Sequence, residues 1–311
     1  MRGADSVAFL QGQLSNDVRL LGTERALLAG YHNPQGRAIA LLRLLQLAGD
    51  DLLAILPREL VASVMQRLGK FILRSKVKLA DESPQWSISG LIGQANWDDG
   101  MVNGVTRRDG ALAVRIAGQP ARWLLVSPAS RPPAEAAERA TAVERATALE
   151  PAAALARGGV LWERLAIAAG EPEVYAATSE AFVAQMLNLD AVGAIAFDKG
   201  CYTGQEIIAR AHYRGRVKRR MQRFLTDAPA HLTPGDNGTL SDGRAFKVVR
   251  AVRHDDGCCE FLAVVGSAAA HGAGDEGAAS GRAAGPESAP ALERSPVLSA
   301  TSLELPYSLP E

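Results

Sequence analysis

The chain has no run of about 18 apolar residues, the length a helix needs to cross a membrane. Even the leucine-rich stretch from Ala38 to Leu56 is broken by Arg43, Gln46, Asp50 and Asp51. The opening, Met1 to Phe9, lacks the apolar core of a signal peptide. A cytoplasmic protein with no membrane contact is expected. Cysteine is scarce as well: there are three in 311 residues, an odd number, with Cys258 and Cys259 adjacent. They form no disulfide framework and fit a reducing compartment. Formal net charge is zero, so any attraction for a polyanion must be local.

The same scarcity argues against a resident metal. Zinc and iron–sulfur centres need three or four spaced thiolate or imidazole ligands. Cys258 and Cys259 would face opposite sides of a strand, and His32, His212, His231, His254 and His271 are scattered. No stably bound metal is expected, although one bridging or transient ligand from Cys201 stays open.

What is present is an ordinary globular composition, 47% hydrophobic and 22% charged, long enough for two or three domains. Ser6 to Leu14 suggests a short helix. Ala26 to Tyr31 and Ala38 to Leu47 flank the turn-rich His32 to Gly36 and predict a hairpin. Leu52 to Leu56 reads as a strand, and Pro57 opens a helical pattern through Leu60, Val64 and Leu68 to Gly69. Trp86 to Ile92, Ala111 to Ile116 and Arg122 to Val126 read as strands separated by turns at Asp98 to Gly100 and Arg108 to Gly110. The alanine- and glutamate-rich Pro133 to Ala156 is read as solvated helix with no chemistry. Arg216 to Leu225, Gly238 to Leu240, Phe246 to Arg253 and Cys259 to Val265 then predict a small β-barrel or sandwich. From Gly266 to about Pro296 large apolar side chains nearly vanish, which predicts disorder. Helices and strands mix without strict alternation, so the fold class is α+β.

The densest chemistry lies in Lys199, Gly200, Cys201, Tyr202, Thr203, Gly204, Gln205 and Glu206. Thr203 and Glu206 have the spacing of a capping box at a helix start. Cys201 would sit just ahead of that start, where the helix dipole, Lys199 and Arg210 favour thiolate over thiol. The alternative is a buried structural thiol in a tight turn. Downstream, Arg210, Arg214, Arg216, Lys218, Arg219, Arg220 and Arg223 form a basic run that suits a polyglutamate tail, a phosphate backbone or an acidic partner. RNA ranks behind folate glutamates here, because only Tyr213 and Phe224 interleave with the run and no RNA-binding signature is present.

The octapeptide, continuing through Ile207 to Arg210 and His212 to Gly215, resembles the signature of the YgfZ family of folate-binding iron–sulfur cluster assembly proteins. Phe9 to Asp17, the turn at Gln35 to Arg37, and the approach through Gln185 to Leu189 and Gly193 to Phe197 resemble further family elements. The chain departs from the family at Ala184 for proline, Ala166 for arginine and Ser15 for threonine. Only Met1 and Arg2 precede the glycine matching Gly3, so a leading strand of the family is expected to be missing.

The resemblance implies a T-protein-like folate-binding fold, with two mixed lobes over residues 1–215, the second inserted at about 50–150. A C-terminal antiparallel β-barrel over 216–311 would carry the disordered insertion at about 266–296, before a closing strand at Leu303 to Tyr307. It also implies an accessory role in assembling or repairing iron–sulfur clusters of client enzymes, including tRNA-thiolating ones, with tetrahydrofolate as ligand. Cys201 would be the reacting residue. Gln205 and Glu206 would organise its loop, Arg210 and Arg214 would face a folate tail or partner, and Gln11, Asn16, Asp17 and Asn188 would line a cleft or cap turns. The alternatives are a folate-dependent aminomethyltransferase or a tRNA-binding modification factor. In the T-protein the hairpin after the glycine turn carries two aspartates, and placing Gly36 on that turn puts Ala40 and Leu41 there, so no side chain at those positions can move a proton. Asp50 and Asp51 fall too far along the chain.

Overall fold

The computed structural model describes residues 1–93, 100–108, 110–130, 151–215, 217–266 and 297–310. The expected turn at Asp98 and Asp99, Asp109, most of the stretch from Pro133, Arg216 and the low-complexity segment from 267 to 296 lie outside these.

Helix α1 (Ser6–Gln11) leads into the expected hairpin, β1 (Leu27–His32) and β2 (Ala38–Ala48), paired antiparallel from Leu27 opposite Leu44 to His32 opposite Ala38. β3 (Asp51–Ile55) adds to β2, and α2 (Val61–Gly69) follows, burying Val64 and Leu68. β2 is apolar on successive residues because both its faces are covered. Leu42 and Leu44 join one core, and Leu45 joins another against the second sheet. Arg43 is the exception within this run.

The second sheet has the order β4 (Trp86–Ile92), β7 (Arg122–Pro128), β6 (Ala111–Ile116), β5 (Val105–Arg108), all antiparallel. Helix α3 (Pro151–Ala168) brings Trp162 against it, so close that a Cβ on Gly90 would stand 2.4 Å from the indole. α4 (Gln205–Tyr213) precedes the C-terminal sheet of β8 (Arg219–Thr226), β9 (Asn237–Leu240), β10 (Ala245–Arg253) and β11 (Cys259–Gly266), completed by β12 (Val297–Leu298) and β13 (Ala300–Leu303).

The order in that sheet is β12-β9-β10-β11-β8-β13. Its two edge strands are separated by one residue, Ser299, so the edges must meet and the sheet is a nearly closed barrel. Asp227 fixes the seam, accepting bonds from Ser299 Oγ (2.5 Å) and Thr301 Oγ1 (2.8 Å). Pairing is antiparallel except between β12 and β9. Phe224, Phe246 and Phe261 fill the barrel, while Leu262 and Val264 on the other face of β11 join the core shared with β1 and β2. The closing strand ends at Leu303, earlier than the sequence suggested. Past it, Leu305 packs on the shared core and the Tyr307 hydroxyl donates to Gly170 O (2.8 Å).

Candidate functional site

The octapeptide alternates anchors with an exposed thiol. Lys199 is buried, and its ammonium donates to the carbonyls of Gln11 (2.8 Å), Leu14 (2.6 Å) and Asn16 (2.9 Å). Those bonds use all three of its donors. The lysine therefore ties the motif to the turn after α1, and none of its N–H groups is left for the Cys201 sulfur. Burial pushes the Lys199 amine down to about 8, against the pull of Asp17. The same ammonium lies 4.9 Å from the centre of the Tyr202 ring. Tyr202 is buried, which raises its hydroxyl to about 12. Between these two anchors Gly200 and Cys201 are exposed.

The expected capping box does not form. The residue before α4 is Gly204, with φ 83°, and no side chain caps the helix. A Cβ there would stand 2.5 Å from Asn33 O and 3.0 Å from Gly36 Cα. The glycine is needed both for its left-handed backbone and for this close approach of two turns. Thr203 is half-buried and Glu206 exposed.

Gln11, Asn16, Asp17 and Asn188 serve the backbone. Gln11 Oε1 accepts from Val18 N (2.8 Å). Asn16 Nδ2 donates to Leu28 O (2.8 Å) and Gly193 O (2.9 Å). Asp17 binds Arg19, whose guanidinium holds its carboxyl down at about 2. Asn188, at φ 56°, is fully buried and donates to Met221 O (2.9 Å), joining the motif region to the barrel. The Ser15 hydroxyl accepts from Gly30 N (2.8 Å) and donates to Ala194 O (2.7 Å).

Beneath Tyr202 lies His32, 1% exposed, its ring centre 6.5 Å from the tyrosine's. It fills the space where a Cβ on Gly30 would be. Neither ring nitrogen makes a well-formed hydrogen bond, and burial pushes the imidazole down to about 4, against a smaller opposing pull from the Gly30 backbone.

A cavity of about 500 Å³ opens where the first sheet, the second sheet, the end of α3 and the C-terminal segment meet. Its polar lining is Arg43, Asn103, Arg115, Gln119, Glu171 and Tyr307. Arg43 donates to Asn103 Oδ1 (2.7 Å) and Glu171 Oε1 (3.0 Å), and the fully buried Arg122 reaches Glu171 Oε2 from behind (2.6 Å). Burial works against the Glu171 charge, but Arg43, Arg122 and Arg250 outweigh it and hold the carboxyl below its ordinary range. Gln11, Asn16, Asp17, Asn188, Arg210 and Arg214 do not line this cavity. Sequence reasoning missed its lining. Arg43 left the one usable signal, a lone charge flanked on both sides by apolar residues of the same strand.

Ala40 and Leu41 are buried in the core, and neither side chain can move a proton. Among the described residues no cluster of His, Cys, Asp and Glu could hold a metal ion, and no helix is long and apolar enough to cross a membrane.

No family model matches the chain. It is 32% identical over 272 residues to the tRNA-modifying protein YgfZ of Enterobacter sp. (strain 638), covering 82% of this chain and 78% of that one. It is 30% identical over 266 residues to the tRNA-modifying protein YgfZ of Cronobacter sakazakii, with the same coverage. The chain belongs to the YgfZ family. Among solved structures it is similar to the glycine cleavage system aminomethyltransferase T from Bartonella henselae, with a TM-score of 0.61 and 15% identity over 86% of this chain and 75% of that one. This YgfZ-family chain thus has the T-protein fold, as the octapeptide and its flanking elements implied.

Proposed function

We propose that this protein is a folate-binding accessory factor that supports assembly or repair of iron–sulfur clusters in client enzymes, including enzymes that thiolate tRNA. The observation that carries the reading is an accessible cysteine between two immobile neighbours. Lys199 and Tyr202 are buried while Cys201 between them is exposed, so the thiol is presented at the surface by an anchored loop. Family membership and the name of the relatives support a role in tRNA modification.

Tetrahydrofolate suits the central cavity on the chemistry of its donors. The volume lies in the range of small-molecule sites, Glu171 offers acceptors to an aminopyrimidine, and Arg43 and Arg115 offer cations to an anionic tail. Arg43, Asn103, Arg115, Glu171 and Tyr307 would hold it. When bound, the folate supplies a one-carbon carrier. The chain's own part is to orient it, and Glu171, kept ionised by its arginines, is a poor proton donor there. Together with the buried Ala40 and Leu41, this favours binding without turnover by T-protein chemistry.

Cys201 would act on sulfur or iron that belongs to the client, as a transient ligand or exchange partner. The test is complementation of a deletion strain. Cys201→Ala is expected to lose most of the cluster-enzyme activity, and Arg43→Ala to weaken tetrahydrofolate binding in calorimetry at least tenfold. Full rescue by Cys201→Ala would remove the reactive-cysteine reading and leave a folate-responsive scaffold.

A further inference from the structure

The basic run divides into two parts. Arg220 is neutralised by Asp190 (2.9 Å) and Arg223 by Glu260 (2.6 Å), each carboxylate nearly enclosed. Arg210, Arg214, Lys218 and Arg219 are exposed, with no ion pair among the described residues. They outnumber the two exposed carboxylates of the neighbouring chain, Asp198 and Glu206.

Three rings cluster at the same end of α4. Phe197, four residues before Cys201, stacks on His212 with ring centres 3.7 Å apart and planes 13° apart. Tyr213 stands edge-on to both, 4.7 Å from His212 and 6.2 Å from Phe197. Tyr213 is 67% exposed, and Ile207 adds further open apolar surface at 40%. Phe197 is distant in sequence from the run, so the platform forms only in the fold. An acidic peptide would need the cations alone. Unpaired cations beside an exposed tyrosine ring, braced by the stacked Phe197 and His212, instead match single-stranded nucleic acid, where bases stack on aromatic side chains and arginines meet the backbone.

We infer that this surface binds an unpaired stretch of RNA. A base stacks on Tyr213, which His212 and Phe197 brace, and phosphates meet Arg210, Arg214, Lys218 and Arg219. The inference extends the accessory reading above by giving the chain direct contact with RNA. It fails independently of that reading, because neither folate binding nor Cys201 chemistry enters its test.

The test is fluorescence anisotropy on the full chain with a labelled oligouridine single strand, the same strand annealed to its complement, and a labelled oligoglutamate peptide. The single strand is expected to bind best. Tyr213→Ala should weaken it about tenfold, and Tyr213→Phe should keep it within about twofold, since the ring does the stacking. Replacing Arg210 and Arg214 together by Gln should lower the salt slope by about 1.4, as expected for two lost phosphate contacts to a single strand. Tyr213 is exposed, so its variants test the surface rather than the fold. Three results would overturn the inference: no binding of the single strand by the wild-type chain, equal affinity of wild type and Tyr213→Ala, or tighter binding of the duplex or the peptide. The last of these would reassign the patch to charge alone.

Discussion

At the octapeptide a single buried cation, Lys199, is held by three neutral carbonyl oxygens, whereas at the central cavity two buried guanidiniums, Arg43 and Arg122, share one carboxylate. The first arrangement takes its acceptors from one short turn, Gln11 to Asn16, and works as a clamp. The second gathers its groups from β2, β7 and the chain after α3, and works as an electrostatic keystone. Removing the clamp leaves three neutral carbonyl oxygens without their donor. Removing the keystone leaves two cations with no counter-charge, which costs far more.

The largest expected effect tests that difference directly. Glu171→Ala should lower stability by about 3 kcal/mol or more, the usual result of stranding buried charge. Lys199→Met should cost about 1–2 kcal/mol, because losing charge-assisted hydrogen bonds is partly offset by relief of a buried ammonium. Urea unfolding of the two variants measures both, and equal losses would break the comparison.

His32 offers a third way of burying a titratable ring, with no charged partner and only the Gly30 backbone to offset its burial. Its folded value of about 4 lies below the ordinary 6.5, so the unfolded chain takes up the proton first as pH falls. Stability present above about pH 6.5 is therefore lost progressively down to about pH 4, by roughly 3 kcal/mol in all. Urea titrations across that range should show the loss in the wild type. A flatter profile is expected for His32→Phe, and an unchanged one would place the acid sensitivity elsewhere.

The smallest effects concern the helix start. Thr203→Ala should change stability by less than about 0.5 kcal/mol, where a working cap would cost about 1 kcal/mol. Gly204→Ala at the adjoining position should cost about 2 kcal/mol through its left-handed backbone and its contact with Asn33. Thermal denaturation of the pair separates the two accounts of this turn.

Much of this was legible in the chain before folding. The hairpin announced itself through the turn residues between two apolar runs, and β4, β6, β10 and β11 through theirs. The strand Val105–Arg108 did not, since three of its four residues are polar. The octapeptide could be located but not oriented. Thr203 and Glu206 have the spacing of a cap, yet the left-handed Gly204 ends the loop differently, and only the fold shows that Lys199 turns toward the α1 turn. The cavity was hidden for a further reason. Arg43, Asn103, Arg115 and Glu171 have no shared spacing, and a site assembled from separate elements leaves no local pattern to read. The aromatic platform was half visible, since Tyr213 could be seen within the basic run while Phe197 joined it only through folding.

The seam at Ser299 bears on how other molecules can attach. A sheet normally offers its border strands to any extended peptide that can continue the ladder. In this barrel the two border strands, one of two residues and one of four, follow each other end to end across a one-residue step and are fastened by Asp227. A visiting strand finds only these short, fastened borders there, so a partner of the described barrel must rely mainly on its side chains.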